Sequence, residues 1–140
     1  MATMTARDQI VRDEGGMLLK AYRDSEGIWT IGVGHNLEAR PIPRAAGIII
    51  FEVDLADTIL DVDRALPWAA RLDECRRAVL INMAFNLGIH GLLDFRRMLA
   101  AVQAADWPLA AKEMLDSKWA TQVGGRALRL AQQMETGAWV

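Results

Sequence analysis

Between Asp73 and Gly88 runs the segment Cys75-Arg76-Arg77-Ala78-Val79-Leu80-Ile81-Asn82-Met83-Ala84-Phe85-Asn86-Leu87, and from Ala78 onward it is apolar nearly all round. A helix with one apolar stripe lies on a surface, whereas a helix apolar on every side must be wrapped by other elements. Asp73 supplies a cap in front and Gly88 a stop behind, so the spacing predicts a helix over 75–87. A chain of 140 residues is the size of one domain and has room for one buried axis of this kind. The rest of the chain is expected to fold around it.

The flanking sequence reads as helices and one short β element. Thr5 with Asp8 three residues on is an acidic capping box for a first helix, which should stop at Gly15-Gly16. From Leu18 to His35 the period changes: Asp24-Ser25-Glu26-Gly27 reads as a turn, and Ile28-Trp29-Thr30-Ile31-Gly32-Val33-Gly34-His35 alternates, giving a hairpin. A linker from Asn36 to Ile42 leads into a helix over about 44–66 that ends at Pro67, with Glu52, Asp54, Asp57, Asp61 and Asp63 mostly on its solvated side. After the central helix, Gly88-Ile89-His90-Gly91 reads as a turn. Three further helices are expected, from Asp94 to Ala105, from Trp107 to Ser117 and from Arg126 to Thr136. Asp94 and Asp106 serve as their caps, Pro108 lies in a first turn and Gly137 is the stop. The fold class is therefore α+β, mainly helical, in a single domain over 1–140. It comprises a hairpin lobe over about 17–42, a connecting helix over about 43–66, and a helical lobe from about 1–16 and 66–140.

Composition excludes several functions. The net charge of −2 and pI near 5.7 provide no basic field, so no nucleic-acid partner is expected. Cys75 is the only cysteine, which rules out an intrachain disulfide and a thiolate cluster. The two histidines, His35 and His90, do not have ligand spacing, so no metal or other cofactor is expected. Residues 1–12 include Arg7, Asp8 and Arg12 and no apolar block, so neither a signal peptide nor an anchor is expected there. The longest nearly apolar stretch, Ala78 to Leu87, falls short of the roughly 20 residues of a membrane span, and no stable membrane association is expected.

Two carboxylates attract attention. Glu14 is at helical spacing from Ile10 and Val11, near the end of the first helix, so burial and the negative end of the helix dipole would both favour its neutral form. A neutral carboxylic acid is what a general acid requires. Alone, Glu14 reads as a solvated helix-end acid, and Asp24 as a residue that opens a turn through its side-chain hydrogen bonds. Their context is more specific. The run Asp13-Glu14-Gly15, Tyr22-Arg23-Asp24-Ser25-Glu26-Gly27, Trp29-Thr30-Ile31-Gly32-Val33-Gly34-His35 closely resembles the amino-terminal signature of the phage lysozymes of glycoside hydrolase family 24, the family of the T-even phage enzyme. Ala78 to Gly88 resembles the family's central helix, and Lys118-Trp119 with Gly125-Arg126-Ala127 continues the likeness.

That resemblance implies a lysozyme-like fold and a muramidase acting on bacterial peptidoglycan. It assigns Glu14 as general acid and Asp24 and Thr30 as holders of the attacking water, with Thr30 turned to the cleft. Such a pair of carboxyls should invert the anomeric centre. The resemblance further implies that Arg126 pairs with the acid, although an exposed helix-start arginine reads the same way. Asn82 and Asn86, four apart, either bind sugar on a cleft floor or bond internally. Phe85 and Trp119 either line the cleft or pack in the core, and Glu26 is a further candidate for substrate contact. His35 is given a structural role, paired with Asp54. The linker over Asn36 to Ile42 is shorter than the family's, so a reduced small lobe is expected. A lytic transglycosylase, or an inactive peptidoglycan-binding relative, is the alternative reading. The expected setting is host lysis by a monomer made in the cytoplasm and released to the wall through a holin.

Overall fold

A computed structural model describes residues 3–140. The protein is α+β and mainly helical, with three short strands and seven α-helices among the described residues. It forms two compact units, one from the chain up to Ile49 and one from Ile50–Val140.

In the first unit, α1 (Ala6–Asp13) starts at a complete capping box: the Thr5 hydroxyl accepts from the Asp8 amide, and the Asp8 carboxylate accepts from the Thr5 amide. The Thr5 hydroxyl also donates to the Asp8 carboxylate, and that bond first, then the one from the Thr5 amide, holds the Asp8 carboxyl below the usual carboxylate range. The helix closes at Glu14 in a double-bonded turn, with the Gly15 amide donating to the Arg12 carbonyl at 3.1 Å and the Gly16 amide to Val11 at 2.8 Å. That turn needs a left-handed residue after the cap, and Gly15 supplies it at φ 88°. Next come β1 (Leu18–Arg23), β2 (Trp29–Gly32) and β3 (His35–Asn36), an antiparallel sheet in the order β1-β2-β3. Tyr22 faces Thr30, and Thr30 faces Asn36 on its other side. The hairpin expected from the alternation is present. The third strand lies in what reads as linker, where the Asn36 side chain caps the amides of Glu38 and Ala39 and turns the chain. Thr30 is the buried side chain of this unit among the described residues, at 4% exposure, so turns and hydrogen bonds hold it more than a core does.

Helix α2 (Arg44–Ala65) carries the boundary between the units and ends as expected before Pro67, which opens a 3-10 turn over Pro67–Arg71. The second unit contains the core. Helix α3 (Glu74–Leu93) is capped by Asp73, which accepts from the Arg76 amide, and buries Val79, Leu80, Met83 and Leu92 completely. Around it lie α4 (Arg96–Gln103), α5 (Trp107–Leu115), α6 (Lys118–Val123) and α7 (Gly125–Thr136). Met83, Met98, Met114 and Met134 fill the space between them; unbranched methionine adapts to irregular gaps.

Three sequence expectations are corrected here. The central helix does not stop at Gly88; it kinks there (φ 77°, ψ 161°) and resumes to Leu93, so His90 is helical. Asp94 consequently closes α3 instead of capping α4, whose first turn has no side-chain cap. A separate α6, capped by Ser117, precedes α7; with six residues it is too short to show a period.

Arg76 ties the second unit together across the chain. Its Nε donates to the Met134 carbonyl at 2.6 Å and a terminal nitrogen to Glu135 at 2.9 Å, which satisfies carbonyls at the end of α7 that have no partner in their own helix. Its other nitrogen reaches Asp73, and the guanidinium lies 3.9 Å from the centre of the Trp107 ring. Arg76→Ala is expected to lower unfolding stability by about 1.5–3 kcal/mol or more, since a single hydrogen bond to a charged group already counts for that much. Arg76→Lys should recover little, because one ammonium cannot fork to two carbonyls. Urea unfolding followed by circular dichroism measures both, and a wild-type midpoint for Arg76→Ala would contradict the assignment.

Candidate active site

In the first unit the local chain path brings Glu14, Asp24, Glu26 and Thr30 onto one small framework. Glu14 is the C-cap of α1; its backbone is in the right-handed helical region, and its amide donates to Ile10 at 2.9 Å. The expectation that Glu14 is buried does not hold. It is exposed, because α1 is only two turns long and buries no residue, so no apolar face desolvates the acid. The carboxylate rests against Gly34 in the turn between β2 and β3.

Asp24 opens the β1–β2 turn. Its Oδ1 accepts from the amides of Glu26 at 2.8 Å and Ile28 at 2.9 Å, while main-chain bonds Asp24 to Ile28 and Gly27 to Asp24 close the loop. Among the described residues Oδ2 makes no hydrogen bond, so one carboxylate oxygen shapes the turn. Glu26 gives its amide to that turn and leaves its side chain exposed. The Thr30 hydroxyl donates to the Ile28 carbonyl at 2.9 Å, which fixes its rotor and leaves the oxygen as an acceptor. Arg23 stacks on Trp29 across the strands at 4.4 Å and holds the Gly27 carbonyl, bracing the same turn. The ring of His35 lies 2.9 Å from the Arg40 carbonyl, a link within the segment that leaves β3.

In the second unit the remaining candidates fall into two groups. Asn82, Phe85 and Arg126 line one groove of about 630 Å³, together with Phe51, Leu55 and Trp139. Arg126 is oriented there by its Nε and one terminal nitrogen, which reach the Asn82 Oδ1 at 3.0 and 2.6 Å. Phe85 is 41% exposed and meets Phe51 edge-on. Trp119 is different: it is 4% exposed, stacks edge-on with Phe95 and donates its indole N–H to Asn86 Oδ1 at 2.8 Å. For the two asparagines, internal bonding accounts for both side-chain oxygens, and Asn86 is exposed rather than buried.

The sequence of the chain matches the phage lysozyme family model over residues 12–134, which takes in the hairpin, the central helix and α7. The chain belongs to the phage lysozyme family. Among the family's relatives it is 33% identical to the pre-baseplate central spike protein Gp5 of Enterobacteria phage T4, over 96% of this chain and 28% of that protein. It therefore spans little more than a quarter of the spike protein. Against probable T4-type lysozyme 1 of Dictyostelium discoideum the identity is 30%, over 94% of each chain, and against probable T4-type lysozyme 2 of the same organism it is 28%. These alignments run to 162, 161 and 160 positions, longer than the 140-residue chain itself, so the relatives carry segments that this family member lacks.

Gly34 and Arg76 are the two positions that sequence reading left without a role. The signal for Gly34 is its place beside His35 in the family signature. Arg76 carries no local signal, since its partners lie 58 and 59 positions away.

Proposed function

We propose that this chain is a muramidase, hydrolysing the β-1,4 bond between N-acetylmuramic acid and N-acetylglucosamine in bacterial peptidoglycan. In this reading Glu14 protonates the leaving oxygen, and Asp24 with Thr30 holds the attacking water. The observation that carries it is the split use of Asp24 beside a pinned Thr30. Oδ1 of Asp24 is committed to the turn and Oδ2 is not, while Thr30 has spent its proton on Ile28 and can only accept. A water donating to both oxygens has its protons held and a lone pair left to attack. Asn82, Phe85 and Arg126 are assigned to sugar binding in their groove, with Glu26 at the hairpin, and Trp119 acts by fixing Asn86. The proposed setting is phage-induced host lysis by a monomer released through a holin.

Digestion of purified sacculi tests the reaction class. The expected products are muropeptides ending in reducing N-acetylmuramic acid. Anhydro-muramic ends would show a transglycosylase, in which the sugar's own hydroxyl attacks, and absence of cleavage would leave only a binding role.

A further inference from the structure

Gly32, the last residue of β2, and Gly34, in the turn that follows, have nearly the same backbone and different surroundings. Gly32 (φ 69°) and Gly34 (φ 62°) both adopt the left-handed conformation that side chains disfavour. A Cβ added at Gly32 would meet only the Met17 sulfur, at 3.9 Å, an ordinary contact. At Gly34 it would fall 2.5 Å from Glu14 Oε2, 2.6 Å from its carboxyl carbon and 3.1 Å from Oε1. Carbon atoms in contact sit about 3.5–4.0 Å apart, so the carboxyl group already fills the volume of the missing side chain. Backbone conformation explains Gly32 in full and Gly34 only in part.

We propose that Gly34 is a positioning residue: its bare Cα is the surface on which the Glu14 carboxyl rests, so position 34 sets where the acid presents its proton. The inference rests on Glu14 being the general acid. Because Glu14 is exposed, a methyl group at position 34 would be relieved by rotation of the flexible acid toward solvent, at little cost to the fold. The displacement is on the order of 1 Å, and misplacement of that size can cost roughly 100-fold in rate.

The test compares wild type with Gly32→Ala, Gly34→Ala, Gly34→Asn and Glu14→Gln, measuring kcat and KM on soluble peptidoglycan oligomers and the Tm of each protein. Both alanine variants should lose similar thermal stability, because the backbone strain is shared. Gly34→Ala should lose about 100-fold in kcat at nearly unchanged KM, with Gly32→Ala near wild type. Gly34→Asn carries a Cβ in a residue that tolerates the left-handed conformation, so it tests the steric claim even if the alanine variant does not fold. Should Gly34→Asn and Gly34→Ala turn over like Gly32→Ala while Glu14→Gln is inactive, the proposal is wrong. A loss confined to KM overturns it as well. An active Glu14→Gln would instead overturn the functional reading beneath it.

Discussion

Replacing Glu14 with Gln should abolish cell-wall cleavage and leave the fold unchanged. The structural work of Glu14 is done by its main chain, which caps α1 through the bond to Ile10 and leads into the glycine turn. Gln has the same length and rotamers, so cap and turn survive. An amide cannot give a proton to a departing glycosidic oxygen, and losing a general acid costs at least ~100-fold. The measurement is clearing of outer-membrane-permeabilised bacteria by purified wild type and variant, with circular dichroism to show equal folding. Stability should not fall, because an exposed side chain contributes little to it. A variant that clears cells at the wild-type rate would remove Glu14 from the chemistry.

Asp24 offers a sharper pair of variants because the proposed reaction gives its two oxygens different tasks. In Asp24→Asn the amide oxygen can still accept from Glu26 and Ile28, so the turn is kept while the anionic acceptor for water is lost. Activity should drop by about 100-fold or more with a melting curve close to wild type. Asp24→Ala removes both tasks, and two lost backbone contacts of about 0.5–1.5 kcal/mol each should show as lower stability in addition to lost activity. The two melting temperatures, read beside the two rates, separate turn from chemistry. Equal stability of the variants would show that the turn does not depend on Oδ1.

What the sequence made legible was local. The capping box of Thr5 and Asp8, the Gly15-Gly16 stop, the Asp73 and Asp106 caps and the apolar period of α3 all follow from neighbouring residues, and all appear in the structure. Strand β3 escaped notice because two residues have no period, and their pairing depends on where β2 lies. The start of α4 differs from the expectation because Asp94 closes an α3 that continues past its kink at Gly88, and no neighbouring residue marks that continuation. The motif that located Glu14 and Asp24 said nothing of exposure. Helical spacing from Ile10 and Val11 predicts a buried Glu14, but α1 has no buried residue, so the acid on its end is exposed. Arg76 was invisible because a side chain reaching the far end of the chain leaves no mark on its own neighbourhood.

In the proposed reaction a water held by Asp24 and Thr30 attacks opposite a proton delivered by Glu14, and the stereochemistry of the first product reads that geometry out. Soluble peptidoglycan oligomers cleaved in oxygen-18 water, followed by proton NMR before mutarotation, should give label at the new reducing end and the α-anomer from a β-linkage. A β-anomer would exclude this attack, because retention requires a covalent intermediate instead of direct attack by the held water.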